Sequence, residues 1–234
     1  MMTKTISTER WLADPTDAYA ESMLNTLSST TTSPADYRAV MHNIGRLLGD
    51  KLIKEDKVNV KSKVCIVSTV EDADFLAKGV YESLQEFGCS LYFVCMWNQR
   101  EIMNGQSVAP ILKRFEQPGY ETSDEIVVVK SIISGSCVVK TNITALFKTL
   151  QPKKIHIVSP IMHIDSEKGL LKEFPRHYAS RFDFSFLAKD AGRNEDTGEV
   201  TPGIGGNVYN RLGFLDQKDK NRYMPSFVLD FMRT

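Results

Sequence analysis

The chain has 234 residues, in which Lys and Arg together number 29 and Asp and Glu also number 29. A chain of this length forms a large domain that buries roughly 70% of its unfolded surface, so a substantial core is expected. Because the formal net charge is zero, the sequence carries no strong nucleic-acid signal and no general attraction to anionic membranes. Any anion-binding site must therefore be local.

Cysteine usage and hydropathy indicate a cytoplasmic protein. Cys65, Cys89, Cys95 and Cys137 lie at spacings that fit neither a zinc site nor a disulfide scaffold, so reduced thiols are expected. No apolar run approaches the roughly 20 residues of a membrane span, and the first residues lack the apolar core of a signal peptide. We therefore expect no membrane contact.

Residues 1–32 are interpreted as an N-terminal segment with helical character, and residues 33–214 as the main domain. At the junction, Ser33 is typical of a helix N-cap, and Pro34 suits the first helical position. Asp36 follows three residues after the cap. Apolar residues then recur at helical spacing, which predicts an amphipathic helix from residue 34 to about residue 53.

After this helix, short apolar runs alternate with helical patterns. The runs that look like buried strands are Val64–Ser68, Leu91–Cys95, Ile126–Val129, Ile155–Val158 and Phe182–Phe186. Strands alternating with helices predict an α/β fold, with a parallel central sheet and helices on both of its faces. Residues 98–124 are polar and too long for a simple connection, so they are expected to form a mobile flap or a hairpin.

A loop of small residues follows the third of these strands. If the strand ends at Val129 and a helix begins near Val138, the backbone N–H groups of Ser134, Gly135, Ser136 and Cys137 converge near a helix N-terminus. Such a turn stabilises a phosphate, although a turn of small residues before a helix is as often plain packing.

A second glycine-rich stretch, 202–213, follows the last strand and is a candidate base-binding segment. The residues assigned to it are Gly203, Ile204, Gly205, Gly206 and Asn207. Glycines let the backbone approach a flat ligand, and the asparagine amide can read a base edge. The alternative is a flexible surface loop. Residues 215–234 are apolar enough to suggest a docked C-terminal tail.

In this order along the chain, several segments resemble the uracil phosphoribosyltransferases, which have the type I phosphoribosyltransferase fold. The similar segments are Leu24–Arg38, His42–Leu48, Ile126–Val138, Pro202–Gly205 and Arg211–Gly213. The third resembles the family's phosphoribosyl pyrophosphate loop, and the fourth resembles its uracil-binding segment. The resemblance implies a reaction in which uracil displaces pyrophosphate from phosphoribosyl pyrophosphate, with Mg²⁺, to give UMP.

The sequence departs from the family pattern at the residues that hold the sugar and the leaving group. Where the resemblance implies an aspartate that binds the ribose hydroxyls, Val129 or Lys130 stands instead. Where it implies an arginine that faces pyrophosphate, Glu71 stands in or near that place and is expected to repel the leaving group. Arg100 is the one remaining cation that matches a pyrophosphate contact.

The base-binding segment departs as well, because the aspartate that the resemblance implies after its glycines is replaced by Gly206 or Asn207. We therefore expect weak or lost transferase activity, and a role as a nucleotide- or phosphate-binding subunit of a larger assembly or as a homo-oligomer. Proteins of this fold occur in bacterial defence systems, which suggests such an assembly by analogy only. The alternative is an active uracil phosphoribosyltransferase of pyrimidine salvage, in which Asp72 or Asp74 supplies the missing acid.

Three further groups of residues have an ordinary structural interpretation. The acidic run Glu71, Asp72 and Asp74 can bind Mg²⁺, but a solvated, acidic helix start is the favoured interpretation, so no metal site is predicted. The charged run 218–222 is expected to be a solvated face. Trp97 is expected to be a core or interface anchor rather than a ligand contact.

Overall fold

The computed structural model describes residues 9–194 and 197–233. Its strands are β1 (Arg10–Leu12), β2 (Lys63–Thr69), β3 (Ser90–Asn98), β4 (Glu101–Met103), β5 (Gln106–Val108), β6 (Ile111–Glu116), β7 (Glu125–Val129), β8 (Ile132–Ile133), β9 (Lys154–His163), β10 (Phe182–Asp190), β11 (Gly192–Arg193) and β12 (Val200–Thr201). Its α-helices are α1 (Ala18–Ser28), α2 (Pro34–Lys54), α3 (Val70–Asp72), α4 (Lys78–Glu86), α5 (Cys137–Leu146), α6 (Ser166–Lys172), α7 (Arg176–Ala179), α8 (Val208–Leu212), α9 (Gln217–Arg222) and α10 (Ser226–Met232). A π-helical turn, Ala73–Ala77, joins α3 to α4, and a 3₁₀ turn spans Tyr120–Thr122.

The fold is α/β and its main sheet is largely parallel, as predicted. Its strand order is β1-β10-β9-β7-β2-β3-β6, and β8 pairs with β9. The strands from β10 to β3 run parallel, whereas β1 and β6 add antiparallel edges. The predicted apolar runs all lie within these parallel strands, although most of the strands extend further than the runs.

Helices cover both faces of this sheet, which confirms the predicted layering. On one face, α1, α2 and α4 pack with strand residues such as Ile66, Phe93 and Val127. On the other face, α5 and α6 pack with residues such as Val67 and Val128. Neighbouring residues of one strand thus enter different cores, which explains why these strands are apolar along their whole length.

Helix α2 begins as its sequence predicts. The Ser33 hydroxyl accepts from the Asp36 N–H at 3.2 Å and donates to the Asp36 carboxylate at 2.7 Å. Pro34 opens the helix, which ends at Lys54. Its buried face packs closely on the turn before α4, because a Cβ on Gly45 would lie 2.2 Å from the Leu76 carbonyl oxygen.

The segment 98–124 contains a hairpin, which is one of the two structures expected for it. Strands β4 and β5 form an antiparallel pair. Strand β6 then returns to the main sheet beside β3, with a register shift between Trp97 and Asn98. Residues 111–116 of the segment therefore form an edge strand that the sequence did not indicate.

Both described ends of the chain pack on this framework. Arg10 in β1 forms a two-pronged ion pair with Asp190, with two N–O distances of 2.8 Å. At the other end, Phe227 packs on Tyr81 and Phe93 at ring-centroid distances of 5.2 and 4.7 Å. No helix in the described ranges is both long and apolar enough to cross a membrane.

Candidate functional site

The strand order places a ligand crevice in the middle of the sheet. The strands β2, β3, β6, β7, β9 and β10 are numbered here from 1 to 6 as they follow one another along the chain. Across the sheet they lie in the order 3-2-1-4-5-6, and strand 3, which is β6, is antiparallel to its neighbour. The chain leaves β2 and β7 in opposite directions, and doubly wound sheets bind ligands at the carboxyl ends of such a strand pair. A cavity of about 480 Å³ lies there, within the range of roughly 300–1,000 Å³ typical of small-molecule sites.

Distant parts of the chain supply the walls of this cavity. The stretch from residue 71 to residue 134 contributes Glu71 after β2, Arg100 after β3, and Lys130, Ile132 and Ser134 after β7; the last part of the chain contributes residues 197–200, 206–210 and 215–217. The cavity therefore has the sheet edge on one side and the C-terminal part of the chain on the other. A ligand inside it would contact both.

Four charged side chains form a buried group beside the cavity, which we call the charge cluster: Glu71, Asp72, Lys130 and Lys220. Lys130 Nζ lies 2.7 Å from Asp72 Oδ2 and 3.2 Å from Glu71 Oε1. Lys220 Nζ lies 3.7 Å from Glu71 Oε2. With side-chain exposures of 6% or less, these groups hold two negative and two positive charges away from water.

Within this cluster, Glu71 and Lys130 favour each other's ionised form despite burial. Burial opposes ionisation of Glu71, but Lys130 and Lys220 outweigh it and lower the pKa of Glu71 to about 2. Burial likewise opposes the charge on Lys130, yet the two carboxylates raise its pKa above the ordinary lysine value. For Lys220, burial is the larger effect and its pKa is lowered, although Glu71 acts in the opposite direction.

The Asp72 carboxylate is already engaged by three donors of the protein. Besides Lys130, its carboxylate accepts from the Ser131 N–H at 3.2 Å and from the Thr69 hydroxyl at 2.8 Å. Asp74 is also occupied, because it accepts from the N–H of Phe227 at 2.8 Å as part of the tail contact. Both aspartates are therefore held by the protein itself, and neither is among the described residues that line the cavity.

The favoured interpretation of the acidic run as a solvated helix start is wrong. Glu71 and Asp72 are 5% and 1% exposed, since two lysines distant in sequence neutralise them. The expected repulsion between Glu71 and pyrophosphate is reduced for the same reason, because Lys130 compensates the charge of Glu71. Among the described residues, no group of three or more His, Cys, Asp or Glu side chains is arranged to hold a metal ion.

The serine loop 134–137 differs from its expected form in two ways. The short strand β8 intervenes after Val129, so the turn before α5 is confined to residues 134–136. Ser134 lines the cavity, whereas Ser136 and Cys137 face a second depression beneath the hairpin. Three of the four candidate phosphate-binding residues are thus divided between two surfaces.

Side chains of the protein already contact this loop. The Ser136 hydroxyl donates to Glu173 Oε1 at 3.2 Å, and Glu173 also pairs with Lys140 in the first turns of α5. The Cys137 thiol donates to the Ser107 carbonyl oxygen at 3.2 Å. Arg193 donates to the Ser134 carbonyl oxygen. A phosphate at Ser136 would have to compete with the Glu173 carboxylate.

Three of the predicted base-binding residues, Gly203, Ile204 and Gly205, contact the protein itself. Gly203 donates to Asp190 at 2.8 Å, and its carbonyl oxygen accepts from Arg10 at 2.7 Å. Ile204 is buried, and a Cβ on Gly205 would lie 2.5 Å from the Leu27 carbonyl oxygen. These contacts anchor the N-terminal strand and helix.

Gly206 and Asn207 do reach the cavity. Gly206 has a φ of +104°, and a Cβ added to it would meet no atom within 4 Å; Asn207 caps α8 by accepting from the Tyr209 N–H at 2.9 Å. Tyr209 and Asn210 from the same helix also line the cavity. Of the five predicted base-binding residues, two therefore line the cavity and three pack on the N-terminal part of the chain.

Sequence reasoning missed Lys220 and Tyr209. Lys220 lies in the charged run 218–222, which was expected to be solvated. The side chain is 1% exposed, so that expectation is wrong for this residue. Its Nζ lies 5.0 Å from the centre of the Tyr209 ring. Burial raises the pKa of Tyr209 to about 12, so its hydroxyl is protonated at neutral pH. In the sequence, the apolar residues after the charged run 218–222 were the only signal that the C-terminal tail docks.

Arg100 lines the cavity, as the resemblance implies for a cation, and its backbone is held by the tail. Gln217 accepts from the Arg100 N–H at 2.7 Å and donates to the Arg100 carbonyl oxygen at 3.2 Å. Trp97 is a core residue, as expected, at 1% exposure, and its indole N–H donates to the Tyr223 carbonyl oxygen at 2.9 Å.

Comparisons with known proteins reveal similarity in structure alone. No family model matches the sequence, and no curated protein matches it. Among solved structures, the AQ2163 protein from Aquifex aeolicus is similar, with a TM-score of 0.66 and 14% identity over 88% of this chain and 99% of that one. At this identity the match shows a shared fold.

Two weaker matches have low TM-scores. A hypothetical protein from Neisseria gonorrhoeae with bound ppGpp has a TM-score of 0.43 and 15% identity over 78% of this chain and 90% of that one. A hypoxanthine phosphoribosyltransferase from Staphylococcus aureus has a TM-score of 0.41 and 16% identity over 62% of this chain and 72% of that one.

Proposed function

We propose that this chain is a phosphoribosyltransferase-like protein that binds a nucleotide or phosphoribosyl ligand in the cavity and has weak or no transferase turnover. The ordered sequence resemblance to uracil phosphoribosyltransferases supports the first part, as does a cavity at the reversal point of the sheet. The charge cluster supports the second part.

One observation carries the proposal of weak turnover. Val129 or Lys130 stands where the resemblance implies a carboxylate for the ribose hydroxyls, and Lys130 Nζ is directed to Asp72, Glu71 and the Ser131 hydroxyl at 2.7, 3.2 and 3.3 Å. An ammonium group has three N–H donors, so these contacts use all of them. Lys130 therefore neither accepts from a sugar hydroxyl nor retains a donor for a phosphate.

The expected loss can be estimated from one missing contact. A hydrogen bond to a charged group contributes about 1.5–3 kcal/mol, which corresponds to roughly a ten- to hundredfold change in affinity. Because catalysis depends on stabilising the charge that separates as pyrophosphate leaves, a missing contact at the ribose lowers turnover as well as binding.

The remaining walls suit a base and a sugar. Asn207 and Asn210 carry amides that can pair with a base edge, and the protonated Tyr209 hydroxyl can donate. Ser134 is the residue of the serine loop that can reach the same ligand. These groups support uracil or a related base as the ligand's ring.

The second candidate is an active uracil phosphoribosyltransferase, which would make UMP and pyrophosphate with Mg²⁺. Arg100 favours it, because its guanidinium lines the cavity and offers the cation that a leaving pyrophosphate requires. Glu199 and Asp216 also line the cavity and would be the acids available to such an enzyme.

Incubation with uracil, phosphoribosyl pyrophosphate and Mg²⁺ separates the two candidates. Pyrophosphate release is measured together with the thermal shift caused by each of uracil, UMP, ribose 5-phosphate and phosphoribosyl pyrophosphate. A shift with UMP or ribose 5-phosphate and negligible release supports the proposal; a ligand at 100 times its Kd stabilises by about 2.7 kcal/mol. Rapid release would establish the enzyme instead, and no shift with any of the four compounds would refute both candidates.

A role within a larger assembly is part of the proposal. The hairpin and the edge strand that follows it expose Ile102, Met103 and Leu112, at 81%, 57% and 54%. Exposed apolar side chains on these two neighbouring elements support a contact with another protein or with a second copy of the chain. Light scattering of the wild type and of Ile102→Asp tests this, since an unchanged monomeric mass in both would argue against self-association.

A further inference from the structure

We propose that Lys220 is a positioning residue for the ligand cavity, holding the C-terminal segment 215–223 in place as one of the cavity's walls. This inference rests on the proposed function, because it concerns the same cavity. It goes further in assigning a role in ligand binding to a part of the chain outside the region that resembles phosphoribosyltransferases.

The wall is attached along the base of the hairpin. Four consecutive residues there bind the C-terminal segment: Trp97 bonds to Tyr223, Asn98 to Lys220, Gln99 to Asn221 and Arg100 to Gln217, with donor–acceptor distances between 2.6 and 3.3 Å. Leu215, Asp216 and Gln217 then line the cavity directly. The hairpin base and the C-terminal segment are therefore held together as one unit beside the ligand space.

Lys220 is the deepest anchor of this unit. Its ammonium group donates to the Asn98 carbonyl oxygen at 2.6 Å, lies over the Tyr209 ring, and is 3.7 Å from Glu71 Oε2. Within the described ranges, Glu71 Oε2 accepts no hydrogen bond, although it is buried. The compensation of that oxygen thus depends on the charge of Lys220.

Removal of Lys220 would unbalance the site in a definite way. The charge cluster would keep Glu71 and Asp72 but only one lysine, and an uncompensated buried carboxylate draws in water or moves outward. Glu71 lines the cavity, and the bond to Asn98 holds the C-terminal wall, so either response changes the shape of the ligand space. The effect on ligand binding should exceed that of losing an exposed lysine.

Lys218→Met is the matched control for Lys220→Met. Both residues lie in α9, both variants lose one positive charge, and Lys218 is exposed. Calorimetric titration with UMP, and with ribose 5-phosphate as a second probe, is done well below the melting temperature of each variant. We expect Lys220→Met to weaken binding by about tenfold or more, the loss that follows from one charged contact, and Lys218→Met to change it less than about twofold.

A second variant tests whether the charge on Glu71 is the cause. In Lys220→Met with Glu71→Gln, the buried oxygen no longer bears a charge, so most of the lost affinity should return. If Lys220 acted only through its bond to the Asn98 carbonyl oxygen, no such recovery would occur, because Gln at position 71 adds no contact to the wall. If the double variant binds as weakly as Lys220→Met, or if both lysine variants bind like the wild type, the inference is wrong.

Hydrogen exchange separates failure of this inference from failure of the proposed function. Without ligand, Lys220→Met should speed amide exchange in residues 97–100 relative to Lys218→Met, because the C-terminal wall detaches. With UMP, exchange in residues 215–223 of the wild type should slow, since coupling between two sites is reciprocal. If the wild type binds neither probe, the proposed function fails, while equal exchange in the two lysine variants would overturn the inference itself.

Discussion

Replacing Lys130 with methionine should cost the protein a large part of its stability. The substitution keeps the length of the side chain but removes the ammonium group that lies between Asp72 and Glu71. Asp72 retains its bonds from Ser131 and Thr69, so the change does not strip it of every partner. Glu71 loses its closest charged partner while remaining almost entirely buried.

The size of the loss follows from this geometry. Breaking a buried ion pair by removing one partner costs about 3–5 kcal/mol, because the remaining charge is uncompensated. For a domain of this size, each kcal/mol lowers Tm by roughly 2–4 °C, so Lys130→Met should melt about 6–20 °C below the wild type. The total free energy of unfolding of such a domain is about 5–15 kcal/mol.

Urea denaturation followed by the fluorescence of buried Trp97 measures this loss. Lys140→Met is the control, because Lys140 also pairs with an acid, Glu173, but is 46% exposed. An exposed pair contributes about 0–1 kcal/mol, so the control should unfold near the wild-type midpoint. A Lys130→Met protein within about 1 kcal/mol of the wild type, with an unchanged denaturant slope, would refute the reasoning about the charge cluster.

Three further predictions concern acidity, the serine loop and the glycine segment. Because the pKa of Glu71 falls from an ordinary 4.5 to about 2 on folding, its contribution to stability is present above pH 4.5 and is lost as the pH falls toward 2; Glu71→Gln should flatten the urea midpoint over that window. Glu173→Gln should raise the affinity for inorganic phosphate by about two- to fivefold at low salt, as phosphorus NMR titration would detect, because the competing carboxylate charge is gone. Gly205→Ala should destabilise the fold more than Gly206→Ala in parallel melts: both glycines have positive φ, but only a Cβ on Gly205 meets a backbone oxygen, that of Leu27.

Local signals in the sequence were sufficient for the framework. The cap at Ser33 and the apolar repeat after it place α2 to within a residue or two. The apolar runs identify the parallel strands because burial on both faces leaves no polar alternation. Each of these features depends on residues close together along the chain, which is why a single sequence reveals them.

The site was harder to predict because its charges come from distant positions. Lys130 is 58 residues from Asp72, and Lys220 reaches Glu71 from the last helices of the chain. In sequence, Lys220 has charged neighbours and gives no sign of burial, so only the docked tail reveals it. Gly203 and Gly205 belong to a glycine-rich motif whose packing partners, Arg10 and Leu27, lie near the N-terminus.

The antiparallel edge strand β1 also affects the order in which the protein can fold during synthesis. Arg10 pairs with Asp190, 180 positions later. At translation rates of about 5–20 residues per second, roughly 10–35 s pass before the ribosome supplies this partner. Until then residues 10–12 lack the strand with which they pair in the folded protein. The edge of β10 stays open until β1 docks on it. Strand β1 is thus synthesised before the other strands of the main sheet, yet it is among the last to pair within it.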